Sequence, residues 1–154
     1  MSSSSAGPSA VASGVCAGWA AEQAERDAEE LDLPHDVAMI HHVALESHRS
    51  EEAALLRFFR ALGFASVEPP PALAERAAWV QSGSTQVHLL WADEPVAPPQ
   101  GHVAVVAADY DAALSALRDA GFEPEPRAEH WGAPRAFVQA PGGHRVEVMA
   151  APPG

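Results

Sequence analysis

The sequence predicts an α+β fold built from two βαβββ repeats, and three observations carry that prediction. Short runs with period-two alternation bracket two stretches of helical period, and each helical stretch stops at a Gly-Phe pair. Landmarks of different kinds also recur at a nearly constant offset. His42 to His102 is 60 positions, Gly63-Phe64 to Gly121-Phe122 is 58, and His88 to Glu147 is 59.

The elements follow in order. Residues 40–45 (IHHVAL) alternate like a half-buried strand. Ser50 is expected to cap the helix EEAALLRFFRALGF, in which Ala54, Leu55, Phe58, Phe59 and Leu62 recur on one face and Gly63 ends the run. Residues 64–68 form a short strand, broken by Pro69, Pro70 and Pro71. Residues 77–81 and 85–91 form a hairpin around Ser82-Gly83-Ser84. After a proline-rich loop the order repeats. HVAVVA at 102–107 is a strand, 109–120 a helix with Leu114 and Leu117 on one face, and Gly121 its stop. Residues 135–139 and 145–149 are the last two strands, joined by Ala140-Pro141-Gly142-Gly143. The two modules span about residues 39–91 and 101–150, within a domain of 37–154.

Ahead of that domain, residues 1–36 read as a separate segment. The first 18 are Ser, Ala and Gly with little to pack, as in a flexible leader; 19–31 (WAAEQAERDAEEL) suit a short solvated helix that Leu33-Pro34 stops.

Composition removes several function classes. Nine arginines and no lysine face 21 acids, for a net charge of −12, and such an excess of acid excludes a nucleic-acid binder that must neutralise phosphates. Half of that charge lies outside the domain: residues 1–38 hold seven acids and Arg26 (−6), residues 39–154 fourteen acids and eight arginines (−6). The acidity is therefore weak grounds for an acidic binding cleft. Cys16, the only cysteine, forms no internal disulfide. With no cationic-then-apolar start and no apolar run near the roughly 18 residues that span a bilayer, the expectation is a cytoplasmic protein with no membrane partner.

Strand alternation then sorts the polar residues by face. Val43 and Leu45 pack under a helix, which turns His42 to the opposite face; Val87 and Leu89 do the same for Gln86 and His88. Val103 and Val105 pack, turning His102 away, and Val146 and Val148 turn Glu147 away. If the two sheets curl towards each other into an open eight-stranded, barrel-like cup with the helices outside, three imidazoles and one carboxylate meet there. Such a set suits a divalent Mn, Fe, Ni, Co or Zn ion, which would also hold a buried Glu147 ionised.

IHHVAL, LRFFRALGF, TQVHLLW, GHVAVVA and PGGHRVEVM, in that order over about residues 39–150, resemble the vicinal oxygen chelate superfamily. Its members include glyoxalase I, fosfomycin-resistance thiol transferases, methylmalonyl-CoA epimerase, extradiol dioxygenases and bleomycin-resistance proteins. The resemblance implies His42, His102 and Glu147 as metal ligands and places His88 at the family's most variable fourth position, as a further ligand or a base. A glutamate usually stands there in glyoxalase I. Fosfomycin enzymes use a cationic pocket, whereas this chain has no lysine, and ring-cleaving dioxygenases typically carry four modules against two here. Ala140-Pro141 stands where the family has Asp-Pro.

Other residues take more ordinary expectations. His41 points away from His42 and is structural or exposed, and His144 makes a backbone hydrogen bond in its turn. Trp79 and Trp91 belong to core or interface. Gln86 shares His88's face and either lines the pocket or lies in solvent, and the loop carrying His130 and Trp131, which in the resembled family can border the cavity, either contacts substrate or is an ordinary loop anchor. Arg135 and Arg145 can neutralise an anionic substrate or lie as solvated strand charges. Two readings remain: a metal-dependent lyase or isomerase of glyoxalase type acting on a small oxygen-chelating substrate, with an Fe(II) extradiol dioxygenase as its variant, and a non-catalytic protein that sequesters a small molecule such as an antibiotic. Module pairing within one chain or across a homodimer stays open.

Overall fold

The computed structural model describes residues 40–154; the leader, the helix at 19–31 and Cys16 lie outside the described residues. Each repeat forms an open, mixed four-stranded sheet. In the first, β1 (His42–Ser47) runs parallel to β4 (Thr85–Trp91), which pairs antiparallel with β3 (Ala77–Ser82), and β2 (Ala65–Val67) lies at the edge. In the second, β5 (His102–Val106) runs parallel to β8 (Arg145–Met149), followed by β7 (Arg135–Gln139) and β6 (Glu125–Arg127). Strand orders β1-β4-β3-β2 and β5-β8-β7-β6 are therefore the same order twice.

The parallel pair in each sheet requires a crossover, and a helix supplies it: α1 (Glu52–Ala61) after β1, α2 (Tyr110–Asp119) after β5. Both helices end in the same Schellman geometry. Gly63 N–H donates to Arg60 O and Phe64 N–H to Phe59 O; Gly121 N–H donates to Arg118 O and Phe122 N–H to Leu117 O. The glycines have φ of +85° and +88°; Phe64 then packs on Phe59 of its own helix, whereas Phe122 packs on Phe58 of α1.

The helix starts differ. Asp109 caps α2 by accepting from Ala112 N–H at 2.9 Å. Ser50 does not cap α1, contrary to its sequence signal. The chain already turns at His48, whose carbonyl accepts from Glu51 N–H, so Ser50 lies inside a 3-10 turn (Arg49–Glu51) and α1 begins with no side-chain cap. β1 also starts two residues later than the alternation at Ile40 suggests and continues to Ser47.

The core forms where the helical stripes meet the inward strand faces. Leu55, Phe58 and Phe59 from α1 and Leu114 and Leu117 from α2 cover Val80, Val87, Leu89, Ala136, Val138, Val146 and Val148. At about 2 kcal/mol for each large apolar side chain removed from water, this layer fixes which face of each strand points outward. The repeats are joined by Phe58 against Phe122 (centroids 5.0 Å apart), by Arg57 Nε donating to Ala120 O, and by a hydrogen bond between buried His144 Nε2 and Glu46 O at 2.6 Å. No helix among the described residues is long and apolar enough to cross a membrane.

Candidate functional site

With the apolar faces buried, the predicted polar residues emerge on the opposite faces at equivalent register. His88 is level with Ala44 of β1, and Glu147 with Ala104 of β5. One strand further, Trp79 lies opposite His88 and Phe137 opposite Glu147. The duplication thus extends to an aromatic floor beside each polar group. The sequence alone suggests core or interface for Trp79; the structure shows it half-buried, with its indole flat on His88, centroids 3.9 Å apart. A signal for this does exist in the chain: Trp79 and Phe137 are 58 residues apart, the same spacing as the two Gly-Phe stops.

On the first sheet, the His42 ring stacks on His88 at 4.0 Å from the other side, so His88 lies between His42 and Trp79. His41 does not point away from His42 as strand alternation suggests: it precedes β1, which begins at His42, and its Nδ1 lies 3.2 Å from His42 Nδ1. A relay of amides fixes the tautomer of His88. Gln81 Nε2 donates to Gly83 O, Gln86 Nε2 donates to Gln81 Oε1, and Gln86 Oε1 is thereby left to accept from His88 Nε2–H at 2.8 Å. The lone pair of neutral His88 is then on Nδ1. Burial lowers the His88 pKa from its usual value near 6.5, and the neighbouring His42 and His41 lower it further, so the ring is held neutral.

On the second sheet, Glu147 is 5% exposed and has two partners. Arg135 NH1 donates to Oε1 at 2.6 Å, and His102 Nε2 stands 3.2 Å from Oε2. His102 Nδ1 lies 3.1 Å from Gln100 O, a carbonyl that can only accept, so Nδ1 carries a proton. In a neutral ring Nε2 then presents a lone pair to a carboxylate oxygen. A contact between these two atoms is favourable only with a proton shared between Nε2 and Oε2, or with a cation in that proton's place.

Arg135 itself sits between Trp131 and Phe137, its guanidinium 5.5 Å from each ring centre, and Nε donates to Ala128 O. Its contact is with Glu147, and it is largely buried. Trp131 is anchored by Nε1 donating to Ala151 O and borders the site through Arg135, whereas His130 is exposed and lies near the Trp131 ring, at 6.2 Å. Gln86 is beside His88 as expected. The four polar landmarks are thus brought together as two pairs, His42 with His88 and His102 with Glu147. Among the described residues no three His, Cys, Asp or Glu side chains gather closely enough to hold one metal ion.

A sequence model of the Glyoxalase/Bleomycin resistance protein/Dioxygenase superfamily matches residues 39–148, which covers both repeats and all four landmarks. The chain belongs to this superfamily. Solved structures share its fold. A protein assigned to the glyoxalase family from Bacillus anthracis superposes with a TM-score of 0.67 at 21% identity, covering 76% of this chain and 98% of that one. TnmS3, an antibiotic binding protein from a Streptomyces species, gives 0.58 at 18% identity over 74% and 96%. The fosfomycin resistance protein FosX from Mesorhizobium loti gives 0.58 at 14% over 75% and 92%. No curated protein matches the chain in sequence.

Proposed function

We propose that this superfamily member is a metal-dependent enzyme of glyoxalase-like type, with lyase or isomerase chemistry on a small oxygen-chelating substrate. His42, His102 and Glu147 would hold the divalent ion, and His88 would move the proton. The observation that carries this reading is the His102–Glu147 pair: Nδ1–H is spent on Gln100 O, and Nε2 and Oε2 face each other 3.2 Å apart. That arrangement suits a ligating histidine whose second nitrogen is oriented by a carbonyl. When bound, a divalent ion supplies Lewis-acid polarisation of substrate oxygens.

The chain's own residues supply the rest. Neutral His88, backed by the Gln86–Gln81 amides, accepts a proton at Nδ1 and is returned to the same tautomer after each turnover. Trp79 and His42 clamp its ring plane. Arg135 holds Oε1 of Glu147, so only Oε2 faces His102. Because the two polar pairs lie on different sheets, a homodimer belongs to the proposal: a second copy can present its first-repeat face to His102 and Glu147 and supply the third ligand.

The test is metal analysis of purified protein beside His42→Ala and Glu147→Ala variants. Near-stoichiometric metal in the wild type and its loss in both variants supports the reading, while equal trace metal in all three defeats it. Assays of hemithioacetal isomerisation, and of catechol cleavage with added Fe(II), separate the lyase or isomerase from the dioxygenase. One observation favours the second reading, a small-molecule sequestering protein: Arg135 already neutralises Glu147 at 2.6 Å. A protein of that kind would bind its ligand equally well after chelator treatment.

A further inference from the structure

Gln86 and Arg145 occupy the same place in the two repeats, Gln86 level with His42 and Arg145 level with His102. Their circumstances differ. Gln86 is spent on His88 and Gln81. Arg145 makes no hydrogen bond or ion pair among the described residues, and its guanidinium lies 4.2 Å over the Phe137 ring. Stacking of that kind fixes the plane of the group and leaves the N–H edge unused. Arg135 on the adjacent strand is matched to Glu147 and Arg127 on β6 to Glu125, so Arg145 is the one arginine of the second sheet with no acidic partner among the described residues, in a protein whose acids outnumber its bases.

Arg145 also lines a cavity of about 270 Å³ at the seam between the repeats. Val43, Leu45, Pro98 and Val103 form its apolar walls, and His102 stands beside Arg145 in the lining. His144, the other polar side chain there, is already committed to Glu46 O. An apolar chamber with one unsatisfied planar cation is complementary to a small carboxylic acid with an apolar body, because a guanidinium matches a carboxylate in a two-point hydrogen bond.

We infer that Arg145 is the anion-recognising residue of this site and that its ligand is a short-chain or monocyclic carboxylate seated between Val43, Leu45 and Val103. This deepens the proposed function by naming its substrate class, and rests on that proposal only in counting His102 as part of the same site. Anion binding at Arg145 needs no metal.

The test uses full-length protein after chelator dialysis, titrated calorimetrically at low ionic strength with benzoate and with benzamide, which has the same shape and no charge. Wild type should bind benzoate at least about tenfold more tightly than benzamide, the scale of one charge-assisted contact, and added salt should shrink the gap. Arg145→Gln should bring benzoate down to the benzamide level, and Arg145→Lys, which keeps the charge without the fork, should retain part of the preference. Equal binding of the two probes by wild type, binding of neither, or an undiminished preference in Arg145→Gln overturns the inference. Failure of the metal proposal reads out separately, as absent Co(II) uptake with the benzoate preference intact.

Discussion

Arg135 donates to Oε1 of Glu147 at 2.6 Å, and both side chains are withdrawn from solvent, 12% and 6% exposed. Ion pairs in such surroundings respond asymmetrically to substitution, because removing one partner strands the other charge. Arg135→Met should therefore destabilise the fold by about 3 kcal/mol in urea titrations. The double variant Arg135→Met/Glu147→Leu should recover most of that loss. Equal losses in the single and double variants would show that the packing of Arg135 against Trp131 and Phe137 matters more than the pair.

The amide relay makes a prediction about one proton. In wild type, nitrogen-15 correlation spectra above neutral pH should show His88 as the Nε2–H tautomer, since Gln86 Oε1 accepts there. Gln86→Leu removes the acceptor and should give a mixture of tautomers with the fold intact. If His88 acts as the base, the same variant should lower kcat more than it raises KM.

Acid should weaken the fold through His88. Its folded-state pKa is lowered by burial and then by His42 and His41, so around and below pH 6.5 the unfolded chain binds more protons than the folded one. Stability is then greatest above the unfolded value and declines as pH falls through the folded one. Denaturation midpoints measured between pH 8 and pH 5 should fall, and fall less in His88→Phe, which keeps a ring against Trp79. An unchanged slope in that variant would assign the pH dependence to other groups.

Gly63 and Gly121 should respond alike. Both hold φ near +85° at a helix end, and a β-carbon there would meet nothing within 4 Å. The cost of Gly→Ala is therefore conformational alone, about 1 kcal/mol at each site. The two sites lie in separate repeats, so the double variant should lose the sum in thermal or urea unfolding.

Much of this architecture is legible in the amino-acid sequence. Gly63-Phe64 and Gly121-Phe122 mark both helix ends because a Schellman stop needs a left-handed residue followed by an apolar one. The outward direction of His42, His88, His102 and Glu147 follows from the apolar residues flanking them, since a strand cannot turn neighbours to the same face. Ser50 misleads because a cap signal describes a local preference, and the 3-10 turn at His48 overrides it. The stacking of Trp79 on His88 is not legible because an aromatic residue on a strand reads only as core or interface until its face is known, and that face depends on the register between β3 and β4.

The chain's alternation, helical spacing and glycine stops by themselves determined two βαβββ repeats and the positions of the polar groups, because those properties depend on near neighbours. Tertiary structure decided the pairings. It assigned Arg135 to Glu147 and left Arg145 stacked on Phe137, although both arginines carry the same charge on adjacent strands. It also divided the four polar landmarks into His42 with His88 and His102 with Glu147. Hydrogen bonds and ion pairs act within about 3 Å, so partners are chosen by strand register and rotamer, which come from the packing of the whole domain and from no local run of residues.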